Sequence, residues 1–328
     1  MTPTTPLPEL EPLPRDARIY LAGHRGLVGS AIHRRLEAQG SADVVTATSQ
    51  ELDLRERPAV WDFFARTRPQ VVILAAAKVG GIMANATYPA DFLSDNLRIQ
   101  TNVLDAAHEF RVQRLLFLGS SCIYPRLAPQ PIPESALLTG PLEATNDAYA
   151  IAKIAGLLHV QALRRQHGHR WISAMPTNLY GPGDTFDPEN SHVLPAMIRR
   201  FHQARVSGAD TVTVWGTGTP RREFLHVDDL ASACLHLLDT YDGDVAVNVG
   251  TGNDVSIREL AELTAEIVGW HGTLEFDATR PDGTPRKLLD VTLLDRLGWK
   301  ASIPLADGLA GTYAWYLDAL AGNEPVRT

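Results

Sequence analysis

Cysteine, positive charge and long apolar runs are all scarce in this chain. The two cysteines among 328 residues, Cys122 and Cys234, make neither a disulfide framework nor a CxxC motif. The net charge of −8 and the absence of a basic block argue against a nucleic-acid partner. No stretch approaches the roughly 18 consecutive apolar residues that a membrane span requires. The histidines show no metal-ligand spacing, so we predict no metal site.

The first 17 residues are rich in proline and lack the basic start and apolar run of a signal peptide. We interpret residues 1–17 as a disordered extension. Together with the absence of a membrane span, this pattern leads us to expect a cytoplasmic protein.

The first half of the chain alternates short apolar runs with helical patterns. The predicted strands are Arg18–Ala22, Asp43–Thr46, Val71–Leu74, Leu115–Leu118 and Trp171–Met175. The predicted helices between them are Val28–Gln39, Pro58–Arg66, Asn96–Phe110 and Ala148–His167. Uninterrupted apolar strands that alternate with helices indicate a parallel sheet covered on both faces. The predicted fold is therefore α/β, a Rossmann-type doubly wound sheet with a smaller C-terminal substrate-binding lobe.

The regular alternation weakens after Pro176, where proline and glycine become frequent. We predict a dinucleotide-binding domain over residues 18–178, to which segments near 224–255 return. Residues 179–328 are predicted to form mainly the substrate-binding lobe. This lobe is expected over the carboxyl ends of the strands, where open parallel sheets bind ligands.

Three glycines, Gly23, Gly26 and Gly29, follow the first predicted strand and open the first helix. Small residues let the backbone approach a diphosphate at a helix N-terminus, where free N–H groups favour negative charge. The spacing is GxxGxxG rather than GxGxxG. Its position after the first strand of an alternating pattern predicts a dinucleotide site.

A tyrosine and a lysine lie four residues apart in the stretch NDAYAIAKIAG. This spacing places Tyr149 and Lys153 on one face of a helix. A nearby ammonium favours a phenolate and lowers the pKa of the phenol. The pair therefore predicts a proton donor for a developing alkoxide, with the lysine also binding a ribose hydroxyl.

The glycine loop, a serine pair after the fourth strand and YxxxK occur in the order typical of the extended short-chain dehydrogenase/reductase superfamily. Within it, the chain resembles the GDP-L-fucose synthases from about residue 18 to 315. The motifs that carry this resemblance are AAAKVGGI, LGSSCIYP, YAIAKIAG, MPTNLYGP, NSHVLPA, RREFLHVDDL and PDGTPRKLLDVT.

The resemblance implies 3,5-epimerisation and NADPH-dependent 4-reduction of GDP-4-keto-6-deoxy-D-mannose. The alternatives are another sugar-nucleotide 4-epimerase, 4-reductase or 4,6-dehydratase of the superfamily, and a non-catalytic nucleotide sensor. An epimerisation needs two acid–base groups on opposite faces of the sugar. The resemblance assigns them to Cys122 and His192, without deciding which one is the base at each carbon. It also implies that Ser120, with Ser121 as its competitor, and Tyr149 stabilise the enolate.

The remaining expected contacts concern the cofactor and the nucleotide end of the substrate. The residues expected at the cofactor are Gly23, His24, Arg25, Gly26, Leu27, Val28, Gly29, Leu118, Gly119, Ser120, Ser121, Lys153, Pro176, Thr177, Asn178, Leu179 and His192. The resemblance implies that the residues around the nucleotide are Arg200, Trp215, Arg222 and Asp282.

The chain departs from the family after the second strand, where the family has arginines and this chain reads VVTATSQELDL. Neither an arginine nor an acid directly follows the strand, whereas a basic residue there normally selects NADP and an acid NAD. Thr48, Ser49 and Arg25 offer hydrogen bonds and charge for a ribose phosphate. We expect NADP(H), with NAD not excluded. Because the superfamily commonly dimerises through two helices, and the helix of Tyr149 has apolar residues on several faces, we also expect a homodimer.

Overall fold

The computed structural model of the protein describes residue 14 and residues 16–41, 43–187, 191–280 and 282–322. Most of the predicted N-terminal extension therefore lies outside the described residues. Ala17, the last residue of that predicted extension, is buried in one core cluster with Ile19 and Leu21. The folded chain thus begins before residue 18.

Short strands alternate with helices along the described residues. The strands are β1 (Ile19–Ala22), β2 (Val44–Val45), β3 (Val71–Leu74), β4 (Arg114–Leu118), β5 (Arg170–Pro176), β6 (Asn178–Tyr180), β7 (Thr211–Trp215), β8 (Arg221–Arg222), β9 (Phe224–His226), β10 (Val247–Val249), β11 (Val255–Ser256), β12 (Thr273–Asp277) and β13 (Arg286–Lys287). The α-helices are α1 (Leu27–Ala38), α2 (Arg57–Thr67), α3 (Ile82–Thr87), α4 (Pro89–Glu109), α5 (Asp147–His167), α6 (Val193–Ser207), α7 (Val227–Thr240), α8 (Ile257–Val268), α9 (Thr292–Arg296) and α10 (Leu305–Leu320).

Six strands form one parallel sheet in the order β10-β5-β4-β3-β1-β2. Strands β1, β3 and β4 are buried along their whole length, as expected for a sheet covered on both faces. These observations confirm the predicted α/β doubly wound fold. The strand order reverses at β1 and β3, and ligands of such sheets bind outside the carboxyl ends of the strands near that reversal.

Alternate side chains of β1 enter two different cores, because successive residues of a strand point to opposite faces. Tyr20 and Ala22 pack in a cluster with apolar residues of α2, α4 and α5. Ile19 and Leu21 pack in a second cluster with residues of α1 and α7. The helices of the first half therefore cover both faces of the sheet.

The second half of the chain adds a third core between α6, α8 and α10, with side chains from β7 and β12. Near it, β8 pairs with β11 and with β13 in a small sheet. The parallel β8–β13 register places Arg222 opposite Lys287. Within the described residues, no helix is both long enough and apolar enough to cross a membrane.

The predicted bounds agree with the structure to within one residue at each end, apart from the start of α4. Helix α4 begins at Pro89 rather than Asn96, because a proline at the first helical position has a suitable fixed φ and needs no N–H partner. The short helix α3, which precedes it, was not predicted. Strand β2 is restricted to Val44–Val45, within the predicted Asp43–Thr46.

Candidate active site

The cofactor segments predicted from sequence meet at one edge of the sheet. Strands β1, β4 and β5 are parallel to one another within the sheet, so their carboxyl ends lie at the same edge. Residues 23–29 follow β1, residues 119–121 follow β4, and residues 177–179 follow the end of β5. This edge is the position where doubly wound sheets bind dinucleotides.

The glycine loop packs too closely for side chains. A Cβ atom at Gly29 would overlap the carbonyl oxygen of Gly23, and one at Gly23 would lie 2.7 Å from the backbone nitrogen of Ala76. Gly23 also has a φ of 88°, which favours glycine. The first N–H groups of α1 have no partner within the helix, and His24 Nδ1 is buried without a hydrogen-bond partner in the described chain. The loop therefore fits a dinucleotide diphosphate.

A tight turn of 3-10 geometry, Ser121–Ile123, follows β4. Ser120 precedes the turn, and its Oγ accepts a hydrogen bond from the Cys122 backbone N–H at 3.3 Å. Ser121 is buried, whereas Ser120 is partly exposed. The turn thus presents Ser120, rather than Ser121, together with the Cys122 side chain.

The Cys122 thiol lies among hydrogen-bond donors from distant parts of the chain. Asn146 Nδ2 donates to Sγ at 3.3 Å, and Lys287 Nζ lies 3.6 Å from Sγ. Burial raises the pKa of the thiol, but the charge of Lys287 and hydrogen bonds from Ser120, Lys287 and Asn146 outweigh it. The pKa of Cys122 is therefore lowered overall, which favours the thiolate.

Tyr149 lies in the first turn of α5, beside the same group of side chains. Burial raises the pKa of its phenol strongly, and the charge of Cys122 raises it further, while a hydrogen bond with Ser120 opposes both. The sequence-based expectation that a nearby ammonium lowers the phenol pKa is therefore wrong for this structure. Burial has the largest effect, so the phenol stays protonated and can donate.

Lys153 is buried one turn further along α5. Its Nζ donates to the Leu118 carbonyl oxygen at 2.8 Å and lies 5.9 Å from the centroid of the Tyr149 ring. Burial lowers the pKa of Lys153 to about 8. The Lys153 ammonium therefore binds the end of β4. It lies near the Tyr149 phenol but has no hydrogen bond with it.

His192 lies at the N-terminal cap of α6, and half of its side chain is exposed. Its Nδ1 lies 3.9 Å from Oδ1 of the buried Asp184. The side-chain interaction with Asp184 raises the pKa of His192, against the opposing effect of partial burial. Among the described residues, no hydrogen bond or ion pair joins His192 to Ser120, Cys122 or Tyr149.

The residues expected at the nucleotide lie close to one another. The Asp282 carboxylate accepts hydrogen bonds from Thr217 N at 2.7 Å and Thr217 Oγ1 at 2.8 Å. Arg222 is partly buried, which lowers its pKa, and the charge of Asp282 opposes that shift. Trp215 is 58% exposed, with the Arg280 guanidinium 5.0 Å from its ring centroid. In this arrangement Asp282 organises the loop after β7.

Two other arginines have contacts within the protein. Arg200 Nη1 donates to the Thr213 carbonyl oxygen at 2.7 Å, which holds this side chain against β7 near Trp215. Arg221 binds Asp254 at 2.8 Å. Adjacent arginines of β8 therefore face different partners, and Arg222 is the one next to Asp282.

Comparison with known proteins identifies the family. The NAD dependent epimerase/dehydratase family matches residues 19–250. GDP-L-fucose synthase 1 of Arabidopsis thaliana is 63% identical over 303 residues, which cover 92% of this chain and 94% of that protein. GDP-L-fucose synthase of Escherichia coli strain K12 is 56% identical, covering 92% of this chain and 97% of that protein. The chain belongs to the GDP-L-fucose synthases.

A solved structure of the same enzyme class is also similar. The crystal structure of a GDP-L-fucose synthetase from Naegleria fowleri bound to NADP has a TM-score of 0.89 and 27% identity, covering 98% of this chain and 97% of that chain. Membership of the GDP-L-fucose synthases confirms the family, the enzyme class and the function that the sequence motifs imply.

Sequence analysis missed three residues that lie beside the predicted site residues Cys122 and His192: Asn146, Asp184 and Lys287. Asn146 and Lys287 occur inside motifs that were recognised, NDAYAIAKIAG and PDGTPRKLLDVT. Their contacts with Cys122 span 24 and 165 residues of chain, so no local spacing indicates them. Asp184 follows YGPG, a pattern that reads as an ordinary turn.

Proposed function

We propose that one pocket of this enzyme, formed by Ser120, Cys122, Tyr149, Lys153 and His192, performs both halves of its reaction. The reaction is 3,5-epimerisation and NADPH-dependent 4-reduction of GDP-4-keto-6-deoxy-D-mannose to GDP-L-fucose. The observation that carries the proposal is the Cys122 thiol, held at 3.3 Å from Asn146 and 3.6 Å from Lys287 in a turn shared with Ser120. This is an environment for a base rather than for a buried filler.

Cys122 is the base in this proposal. The ketone at carbon 4 acidifies the hydrogens at carbons 3 and 5. The thiolate takes one such proton, so a C–H bond breaks, an S–H bond forms, and the electron pair moves onto the carbon-4 oxygen as an enolate. The charge of Lys287 favours the thiolate before the proton is taken. It favours the thiolate again when the thiol loses that proton after the reaction.

His192 is the acid that returns a proton to the opposite face of the same carbon. Its imidazolium gives up an N–H proton, and the enolate electrons form the new C–H bond. The interaction with Asp184 raises the pKa of His192, which favours the protonated form. Solvent then reprotonates the imidazole and takes the proton from the thiol, and the cycle repeats at the second carbon.

Ser120 and Tyr149 hold the carbon-4 oxygen through both stages. Because burial keeps the phenol protonated, Tyr149 donates a hydrogen bond to the enolate and later gives its proton to the alkoxide. Bound NADPH supplies the hydride for the reduction at carbon 4. Lys153, whose pKa is lowered to about 8 by burial, holds a ribose hydroxyl and supports proton transfer through the phenol.

The cofactor of this enzyme is NADP(H), and the glycine loop supports it sterically. At the ribose-phosphate end, the chain lacks the arginines that the family has after β2. The Thr48 N–H there donates to the Glu51 carboxylate, and Thr48 Oγ1 accepts a hydrogen bond from the Glu51 N–H. Hydrogen bonds with Thr48 lower the pKa of Glu51, and the charges of Arg25 and His24 act in the same direction. We propose that Arg25, together with Thr48 and Ser49, receives the ribose phosphate.

The diphosphate of the GDP-sugar needs cationic partners. We propose that Arg222 binds it, with Arg200 as a second cation at the edge of β7. The exposed ring of Trp215 offers a face to the nucleotide. Asp282 contributes by holding the loop that follows Trp215, through its two hydrogen bonds with Thr217.

A second copy of the chain is the proposed partner. Helices α4 and α5 pack against each other, and Ile151 and Leu158 of α5 are 46% and 39% exposed. These two residues lie seven positions apart, so they share one face of the helix. That face supports a homodimer through α4 and α5. We also propose a cytoplasmic location, as expected in the sequence analysis.

The test of the base is solvent exchange. The Cys122→Ser variant, incubated with GDP-4-keto-6-deoxy-D-mannose and NADPH in deuterated water, should incorporate deuterium at carbons 3 and 5 at least about a hundredfold more slowly than the wild type. NMR of the product measures the incorporation. Cofactor binding should be unchanged, because Cys122 is not among the residues expected at the cofactor.

The matched control is Cys234→Ala, which removes the other cysteine of the chain from the core of α7. It should exchange deuterium at the wild-type rate. Wild-type exchange in Cys122→Ser would exclude Cys122 as the base. Equal loss in both variants would instead point to damage of the fold.

A further inference from the structure

A buried carboxylate beside His192 is only partly hydrogen-bonded. Asp184 is 3% exposed, and its Oδ1 accepts the Thr185 N–H at 2.8 Å. Its Oδ2 is buried and has no hydrogen-bond partner in the described chain. Burying a carboxylate is costly unless a cation or several donors compensate it. The imidazole of His192, with Nδ1 3.9 Å from Oδ1, is the neighbouring group that can carry that charge.

The backbone sets the position of this carboxylate. The turn after β6 closes with a hydrogen bond from Asp184 N to the Gly181 carbonyl oxygen at 3.3 Å. The bond from Thr185 N then orients the carboxylate itself. The hydrogen bonds that fix Asp184 thus come from its immediate neighbours in the chain. The His192 ring, in contrast, is half exposed and can face a sugar.

The position of His192 makes a counter-charge necessary. A helix N-terminus carries a partial positive charge, which disfavours a protonated imidazole at the cap of α6. Arg199 and Arg200 of α6 lie about 10 Å further along that helix. Arg200 is bound to the Thr213 carbonyl oxygen, and the charge of Arg199 acts on Tyr316 of α10. Asp184 is the described group whose negative charge acts on the ring.

We propose that Asp184 is a positioning residue, which accepts the Nδ1 proton of His192 in a hydrogen bond and directs the Nε2 proton toward carbons 3 and 5 of the sugar. The inference rests on the proposed function of His192 as the acid. During the transfer the Nε2–H bond breaks and a C–H bond forms, while Nδ1 keeps its proton facing Asp184. Solvent restores the Nε2 proton after each inversion.

The direct test is the titration of the His192 ring by NMR, with its signal assigned by its loss in His192→Gln. In the wild type the ring should titrate above about 6.5, the ordinary histidine value. In Asp184→Asn the titration should move down by about one pH unit or more. An unchanged titration in Asp184→Asn would overturn the proposal.

The pH profile of deuterium exchange provides the second measurement. Exchange should fall as rising pH removes the imidazolium proton, and in Asp184→Asn this fall should begin about one unit lower. Reduction of the already epimerised 4-keto sugar should fall much less than the exchange, because in the proposed mechanism Tyr149, and not His192, gives the proton in that step. Asp184→Glu, which keeps the charge, should recover part of the shift.

The matched control is Asp228→Asn, because Asp228 lies 3.7 Å from another histidine, His226, outside the proposed pocket. It should leave both the His192 titration and the exchange profile unchanged. If Asp184→Asn does not fold, the wild-type titration decides, because a His192 value at or below about 6.5 contradicts the proposal. Wild-type exchange in His192→Gln would instead overturn the proposed function of His192, whatever the titrations show.

Discussion

The two cysteines of this chain lie in opposite chemical surroundings, since Cys234 is fully buried and Cys122 is partly exposed. Cys234 is completely buried among apolar residues of α7, and burial raises its pKa to about 12. At Cys122 burial acts in the same direction, but Lys287, Ser120 and Asn146 reverse the result. Burial alone makes a thiol inert, whereas converging donors lower the pKa of the Cys122 thiol and favour the thiolate.

The difference follows from where each residue lies in the fold. Helix α7 satisfies its own backbone and needs only apolar neighbours to pack against the sheet. The turn after β4 lies at the carboxyl edge of the sheet, where separate chain segments end and expose polar groups. Asn146 precedes α5 and Lys287 lies on β13, so two distant elements both supply donors to one sulfur.

The largest contrast should appear in alkylation. Iodoacetamide should modify Cys122 in the folded protein at least about a hundredfold faster than Cys234, since the thiolate is the reactive form. Mass spectrometry of the modified peptides over time gives both rates. In denaturant the two rates should converge. Comparable rates in the folded protein, without unfolding, would mean that the two environments are not distinct.

The charge of Lys287 should account for most of this contrast. Lys287→Met removes the cation and leaves the burial, so the pKa of Cys122 should rise by about one unit or more. The wild-type thiol forms thiolate at a lower pH because its pKa is lowered. With the higher pKa of the variant, the alkylation rate should begin to increase only at higher pH. Exchange at carbons 3 and 5 should fall about tenfold near neutral pH.

The control for this variant is Lys300→Met, which removes a largely exposed lysine paired with Asp295 at 3.8 Å. It should leave the alkylation profile of Cys122 in place. A Lys287→Met profile that overlays the wild type would assign the lowered pKa to the neutral donors alone.

The smallest effect concerns stability rather than chemistry. Cys234→Ser places a hydroxyl in an apolar cluster and should lower the free energy of unfolding by about 1 kcal/mol or more. Deuterium exchange at carbons 3 and 5 should not change. Urea denaturation measures the first quantity. A loss of exchange in the folded variant would show that the core of α7 and the turn after β4 are coupled.

Much of the sheet could be predicted because its signals are local. The apolar runs that became β1, β3, β4 and β5 bury side chains on both faces, so their sequences lack polar alternation. Gly23 and Gly29 were predictable because close backbone packing leaves no room for a Cβ atom. The start of α4 was not predictable, since its first turns contain polar residues between the apolar ones.

The electrostatics of the pocket could not be predicted in the same way. The four-residue spacing of Tyr149 and Lys153 correctly predicted a common helix but not the direction of the phenol pKa. That direction depends on how much water the surrounding elements exclude, and Lys153 is bound to the Leu118 carbonyl oxygen instead. Asp184 was missed for a similar reason, because its burial arises only when the turn packs into the fold.

The order of residues by itself determined most strands and helices of the first half, the glycine loop and the chemical types of the side chains, since these depend on neighbours within a few positions. Only the tertiary structure decided which charges surround the reactive thiol and imidazole. The parallel pairing of β8 with β13 and the turn after β6 bring Lys287 and Asp184 into place. Coulomb interactions depend on distance through space and on burial, and neither is a property of local sequence.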